Sequence, residues 1–581
     1  VSTQIHPRKQ RLNNLSAQLK NELQSFIPQY RDLGDYILPN RPRFYTSDIN
    51  KGERRNLKII DSTATMGART LTSGMMSGIT SPARTWARLM TPDPSLNEFG
   101  SVKKWLHDVT SILFYFYGRS NLYNSLPNVY GDTGVFGTSA LFVEEDDEDL
   151  LRTYSFPVGS YRIAKDFKGR INVFDRDFKM TVRQIVEQFG RRNASGRADW
   201  SNISKHVKDA WDNSNYEQWI EVRHVVQPNE EYDSKAAKLI SKHKRFYSCY
   251  YESGTQGDKA NYLQNKDDGT YLRESGYDNH PVLCPRWQTT GEDVYGTSCP
   301  GMIALGDIKA LQLLHLRKAE AIEKVVRPPL IGPMAMKGSR VSLVPGDISW
   351  GDLDAARGGL RPIFDVNPQL EGLMLDIRDH QKRIDDAFFV PLFLMLANTD
   401  RREITAREID ERAEEKLLVL GPVLEQMNQD LLDPLVALSF GYALKQGVIP
   451  KPPRELNGMP LKVEYISQMS QAQKMIGIGA LERFIGFVSN VGQVHQQIWD
   501  KVDVMQAADE YADMTGVTPK IVRTDEQVEQ IQLNRAKAEQ AAAAAQAIQA
   551  GAAAAKDLSQ ANLEGKNALT EIVKPASAGG Q

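Results

Sequence analysis

The residues able to do chemistry in this chain of 581 residues are scattered, and few stand at a useful spacing. His280, Cys284 and Cys299 come nearest to a metal-ligand set. Their spacing matches no common zinc pattern, so they read as ordinary strand residues. Asp267-Asp268-Gly269 is similar to the start of a calcium loop, but Lys266 and Ser275 stand where ligands belong, and a hairpin turn is the better reading. No Gly-x-x-x-x-Gly-Lys-Ser/Thr cradle for phosphates is present, nor His-Glu-x-x-His, Gly-x-Ser-x-Gly or a paired Cys-x-x-Cys. No catalytic residue, metal or cofactor is therefore expected. A hydrolase assembled from scattered acids stays open as the enzymatic alternative.

Charge offers more than catalysis does. The run Glu144 to Asp149 is the densest acidic feature. It would serve as a cation site or a surface that repels DNA, but a solvated turn after a strand is the preferred reading. Asp400, Arg401 and Arg402 form a basic-ended loop between two helical segments, where a loop tip can project into a channel. Between 369 and 389 the polar residues alternate in sign: Asp376, Arg378, Asp379, Lys382, Arg383, Asp385 and Asp386. Asp379 precedes Arg383 by four, the favourable order for a helical ion pair. A lattice of ion pairs between repeated subunits would use this pattern, and so would a solvated face.

The elements that position these residues follow from periodicity. Leu12, Leu15, Leu19 and Leu23 predict an amphipathic helix within residues 1–30. The segment from Asp61 to Pro82 is dominated by small residues, with Gly74 and Gly78 four apart. Each glycine costs a helix about 1 kcal/mol against alanine, so a helix here must gain from close backbone packing. That reading is preferred over a loop. From Gly137 to Gln288 short strands alternate with turns: 141–143, 153–156, 161–163, 171–174, 219–226 and 245–251. Thr181 with Gln184 forms a capping box that opens a helix to Phe189.

After Pro300 helices return. One is predicted over 302–326 and a second over about 369–389, separated by a Gly- and Pro-rich stretch at 327–367 with short β-type runs such as 341–344. Leu392 to Arg402 reads as a short loop. Thr405 with Glu408 opens the longest helix, whose apolar positions run from Ile409 to Leu438; Pro422 and Pro434 inside it predict kinks or breaks. Residues 461–466 look strand-like. Thr524 with Gln527 starts a helix that enters an alanine-rich tract, 13 Ala in the 20 residues from Ala536 to Ala555. Such a helix suits a ring of identical helices or a frayed tail, and 571–581 look disordered. The fold class is α+β.

Composition bounds the rest. At about 150 residues per domain the length corresponds to roughly four domains. Charged residues are 25% and hydrophobic ones 41%, enough for a large core. Lys plus Arg number 71 against 73 Asp plus Glu, a net charge of −2, which disfavours a protein that coats nucleic acid. Three cysteines make no disulfide framework and point to a reducing compartment. No apolar run of membrane length and no secretion signal is visible, so a soluble intracellular protein is expected.

The order of these parts resembles the portal, or head-to-tail connector, proteins of short-tailed bacteriophages. Two stretches carry the likeness: Asp61-Ser-Thr through Leu71, Ser73-Gly74, Gly78 and Ser81-Pro82 to Arg84 and Trp86, and Arg402-Glu-Ile-Thr405 through Glu408 to Glu415 and Gly421-Pro-Val-Leu-Glu425. The likeness covers about residues 10–470. It implies a ring of twelve subunits at one capsid vertex, with a channel that passes double-stranded DNA without sequence specificity. It also implies a wing over 1–301, stem helices at 302–326 and 368–390, and a clip at 327–367. A tunnel loop at 391–403, a wing return at 404–465 and a crown or barrel at 466–581 complete the division. The DNA-facing loop would then hold Asn398, Thr399, Asp400, Arg401 and Arg402. The stem ion pairs would draw on Asp376, Arg378, Asp379, Lys382, Arg383 and Asp386, and tail-facing clip residues would be Arg340, Asp347, Trp350 and Arg357. Implied partners are a packaging terminase, tail adaptors and capsid or scaffold proteins, with no membrane. The place is the virion, after assembly in the host cytoplasm. A head or tail scaffold that does not line DNA is the alternative.

Overall fold

A computed structural model describes residues 7–44, 52–93, 99–192, 198–253, 271–327, 330–331, 361–362, 370–398, 419–456, 460–492, 495–515, 523 and 525–560. Helices α1 (Pro7–Gln24), α2 (Ile27–Tyr36) and α3 (Thr63–Ile79) come first, then strand β1 (Ala87–Met90) and helices α4 (Gly100–Arg119) and α5 (Leu122–Phe136). The strand-rich part contains β2 (Ala140–Asp146), β3 (Leu150–Phe156), β4 (Tyr161–Lys165), β5 (Ile171–Thr181), α6 (Val182–Phe189), β6 (Arg191–Arg192), β7 (Ala198–Asp199) and α7 (Lys205–Asp212). It continues with β8 (Trp219–Pro228), β9 (Phe246–Glu252), β10 (Arg273–Tyr277) and β11 (Val282–Leu283). Helices α8 (Pro300–Val326) and α9 (Leu370–Ala387) bracket the short pair β12 (Leu330–Ile331) and β13 (Arg361–Pro362). Next come α10 (Val390–Asn398), α11 (Asp433–Lys445), β14 (Lys462–Tyr465), α12 (Gln468–Gly492), α13 (Val504–Thr515) and α14 (Asp525–Gln560). The fold is mixed α+β, and every strand pair among the described residues is antiparallel.

The main sheet has the order β10-β9-β8-β5-β4, and a second has the order β11-β2-β3. Alternation along β8 explains how the main sheet is covered. Ile220 and Val222 face the cluster built on Val182, Ile185, Phe189 and Val207 of α6 and α7, while Val225 faces Leu12 of α1 with Tyr247, Cys249 and Tyr251. The capping box forms as the sequence predicts, with the Thr181 hydroxyl accepting from the Gln184 N–H and the Gln184 side chain accepting from the Thr181 N–H. The acidic run is the β2–β3 hairpin end. Asp146 Oδ1 accepts from the backbone N–H of Glu148 and Asp149 at 2.8 and 3.0 Å, and Glu144, Glu145 and Asp149 pair with Arg273, Lys445 and Arg119.

Several expectations change. The first helix is two, because the chain turns at Ser25–Phe26 and Pro28 opens α2. The loop expected from Leu392 is helical as far as Asn398: Pro391, which cannot continue α9, starts a new helix, where its missing N–H costs nothing. Residues 419–427 are helical through Pro422. At Pro434 the helix does not break; it widens into a π turn over Asn428–Leu432, just before the position where proline lacks a donor. Pattern reading assigns nothing to residues 100–136, where α4 and α5 lie; α5 carries Pro127 in its interior.

The chain divides into two compact units. The first holds Val1–Met90, Leu106–Lys451 and Leu461–Phe484, and the second holds Thr91–Trp105, Pro452–Pro460 and Ile485–Gln581. Among the described residues no helix is long and apolar enough to cross a membrane.

Candidate functional site

The site of interest is the α8–α9 hairpin and its seat on α3. The seat depends on glycine. A Cβ built on Gly74 would stand 2.1 Å from the Phe393 ring, and one on Gly67 would stand 3.2 Å from Phe388. The two glycines are seven residues apart, two helical turns, so both open the same face of α3. Phe388 follows α9 directly and Phe393 lies in α10, and both rings are buried. Against α5 the fit is equally tight: a Cβ on Gly134 would lie 2.4 Å from Leu71. The backbone packing that would justify glycine in a helix is therefore present on two sides of α3.

Phe389 makes the turn between α9 and α10. Its φ is +56°, left-handed backbone that a bulky residue rarely adopts. Its ring lies against Trp287, with centroids 6.4 Å apart.

Asp61, at the start of the first family-like stretch, ties three elements together. Its Oδ1 accepts from the Thr63 N–H at 2.8 Å and its Oδ2 from Gln381 of α9 at 3.0 Å. His315 of α8 places Nε2 3.2 Å from the same carboxylate. Gln312 of α8 accepts from the backbone N–H of Ile60 and Asp61 and donates to the Asp61 carbonyl. Burial raises the Asp61 carboxyl, but the hydrogen bonds from Thr63 and Gln381 and the nearby His315 outweigh it. The group titrates below its ordinary value. Asp385, on α9, moves the other way, through burial and then the neighbouring Asp386 and Asp61.

The hairpin is laced at its middle. Asp307 of α8 lies 2.9 Å from His380 Nδ1 and 3.6 Å from Arg383, and Arg383 also bonds Asp379 one turn earlier on α9. The predicted pair Asp379–Arg383 is thus formed within one helix, and Asp376 stands 4.0 Å from His380. Arg378, Lys382 and Asp386 are exposed on α9. Sequence reasoning missed Asp307, His315, His380 and Gln381. A search for His and Asp on the facing sides of two predicted neighbouring helices would have found the pairs.

Other predicted residues fall elsewhere. Asn398 ends α10, and Thr399, Asp400, Arg401 and Arg402 lie outside the described residues, as do Arg340, Asp347, Trp350 and Arg357 and the turn at Asp267. His280, Cys284 and Cys299 do not converge on a site. His280 Nδ1 lies 2.8 Å from the Val282 carbonyl, Cys299 donates to the Val135 carbonyl at 3.1 Å, and burial pushes the Cys299 thiol up to about 12. Trp86 is buried, stacked on Tyr117, and donates to the Tyr123 hydroxyl at 3.2 Å.

Comparison with known proteins places the chain by sequence. Residues 9–522 match the family described as bacteriophage head to tail connecting protein. The chain is 45% identical over 570 residues to the portal protein of Salmonella phage epsilon15, covering 98% of this chain and 99% of that one. It is 39% identical over 560 residues to the probable portal protein of Bordetella phage BPP-1, covering 96% and 97%.

Proposed function

Since the chain belongs to the bacteriophage head-to-tail connecting family, a structural and non-enzymatic family of the virion, we propose that it is the portal subunit of a short-tailed phage. Twelve copies close a ring at one capsid vertex, assembled in the host cytoplasm, and double-stranded DNA passes through the ring during packaging and ejection. The stretch at 327–367 meets tail adaptors and the packaging terminase, and the outer parts meet capsid or scaffold proteins. The observation that carries this reading is likeness at 45% identity along 98% of the chain to a phage portal protein.

In this role α10 delivers Asn398 and the residues after it toward the channel, from a helix seated on α3. Arg401 and Arg402 then supply weak, salt-sensitive phosphate contacts without base reading, because tight binding would hinder movement of the next base pair. A ring repeats one heterologous contact, so each subunit must carry two different complementary faces. Negative-stain imaging and native mass spectrometry of the full chain test the ring. A closed assembly with a central hole is expected, and one without a hole sinks the reading. Arg401→Ala with Arg402→Ala should leave assembly intact and alter DNA packaging or retention; loss of rings would instead place these arginines at a subunit contact.

A further inference from the structure

A row of polar side chains crosses one face of the main sheet. Arg176 of β5 stands opposite His224 of β8, His224 opposite Tyr250 of β9, and Tyr250 opposite Arg273 of β10. Residues directly opposite in a sheet share a face, so two arginines and a histidine are gathered on one side. Tyr250 touches all three. Its ring stacks on His224 with centroids 3.9 Å apart, the Arg273 guanidinium lies 4.9 Å from its centre, and Arg176 hydrogen-bonds to it. The second sheet covers the row. Phe142 of β2 meets His224 edge-on at 5.6 Å, and Phe156 of β3 lies on Arg176.

Hydrogen bonding in this row is incomplete. His224 is 0% exposed. Its Nε2 stands 3.1 Å from the Ser248 hydroxyl, while its Nδ1 has no partner among the described residues. The Nε–H groups of Arg176 and Arg273 are buried and also lack a partner among those residues. Buried polar groups of folded proteins are nearly always paired, with protein, water or a ligand.

Charge in the row is out of balance as well. Glu144 of β2 bonds Arg273 at 3.2 Å, so one carboxylate answers two guanidiniums. Glu252, two residues beyond Tyr250 on the same face, is taken up by the N–H and hydroxyl of Ser204. The guanidinium carbon of Arg176 lies 4.0 Å from the centres of both the Phe156 and Phe178 rings. Those rings favour a cation but leave its Nε–H unanswered. Burial pushes His280 down to about 4 and, with Arg176 and Arg273 close by, holds His224 well below its ordinary value, so both rings are neutral at pH 7. A neutral His224 that accepts from Ser248 at Nε2 carries its proton on Nδ1. It then adds an N–H to those of the two arginines.

We propose that Arg176, Arg273 and His224 hold a small monovalent anion of chloride size between the two sheets, bound by the two Nε–H groups and the Nδ1–H. A larger oxyanion does not suit the place, because Phe142, Phe156 and Phe178 crowd the donors. The anion balances the second guanidinium and fastens the β11-β2-β3 sheet to the main one. Arg273, with its side chain 31% exposed, marks the way in from solvent. The site lies within one subunit and is independent of the portal reading.

Melting midpoints of the full chain in chloride and in gluconate, at equal ionic strength, test it. Chloride and bromide should raise the midpoint saturably, and gluconate should not. Arg176→Met keeps an unbranched side chain between the two phenyl rings but removes the charge, and should abolish the chloride response. Wild-type crystals grown in bromide and measured at the bromine edge give a readout that needs no variant to fold. An anomalous peak within reach of Arg176, Arg273 and His224 is expected. Water there without an anomalous peak overturns the proposal. So does a peak with no chloride effect on wild-type melting, which is an adventitious ion only, and so does a full chloride response in Arg176→Met.

Discussion

Replacing Gly74 by alanine isolates the contact that seats α10 on α3. A Cβ at this position stands 2.1 Å from Phe393 Cδ1 and 2.2 Å from Cγ, against an ordinary carbon separation of about 3.5–4 Å. The ring must retreat by more than about 1 Å, or α3 and α10 must part. Neither is easy, since Phe393 is buried beside a fully buried Leu392 and its N–H bonds the Phe389 carbonyl. Overpacking of this kind costs about 1–3 kcal/mol. Alanine in a helix recovers about 1 kcal/mol against glycine, so the net effect is destabilisation of up to about 2 kcal/mol. Urea unfolding of the purified full chain measures it, with Gly441→Ala as the control. Gly441 has no atom within 4 Å of a built Cβ, so only the helix-propensity gain should appear there. Adding Phe393→Leu to Gly74→Ala should make the pair less destabilised than the sum of the singles, because the clash and the ring are one interaction. If Gly74→Ala stabilises as much as Gly441→Ala, the glycine seat is not what holds α10.

Other expectations concern charge and capping. Thr181→Ala should cost about 1 kcal/mol in unfolding measurements by removing the α6 cap, without effect on assembly. The Asp61 carboxyl titrates below 3.8 in the folded chain, so its stabilisation is complete above that unfolded value and is lost as pH falls through the folded one. The stability gap between wild type and Asp61→Asn should accordingly shrink below about pH 4 in melting curves recorded at several pH values. Arg41 grips Asp132 through both carboxylate oxygens at 2.6–2.9 Å, and the acid is 1% exposed. Arg41→Met should cost about 3–5 kcal/mol by urea midpoint, and Arg41→Lys should restore only part of it, since one ammonium cannot replace the fork.

Local patterns were legible where one element decides its own structure. The Thr181 box, the β-type runs from 141 to 251 and the helices over 302–326 and 369–389 all follow from period or from a cap, and each appears within a few residues of its expected bounds except the run at 171–174, which continues as β5 to Thr181. The α3 glycines were legible as a question, since a helix that rich in glycine needs a neighbour, but Phe388 and Phe393 were not legible as its answer. They lie more than 300 residues away in sequence, and the turn that aims them depends on a left-handed Phe389 that no propensity favours. Residues 392–398 look like a loop because Pro391 ends one helix, yet the same proline starts the next. The Asp61 node escaped for a similar reason. His315 and Gln381 stand on different helices and become partners only once α8 and α9 pack on the start of α3.

The net charge of −2 says little by itself about which surfaces are acidic, because three acids of the densest run are already held by internal partners. Glu144, Glu145 and Asp149 of the hairpin end each hold a base from another part of the same subunit. Helix α9 carries five acids and three Lys or Arg, against three acids and four bases on α8. Part of that charge is already joined inside the subunit: Asp379 pairs with Arg383, which also stands 3.6 Å from Asp307, and Lys309 pairs with Asp32. These pairs are exposed, so screening at 1 M salt should remove them at little cost, and urea midpoints of the full chain at low and high salt should differ by less than about 1 kcal/mol. A larger loss would show that charge, and not buried apolar surface, holds α8 and α9 in place.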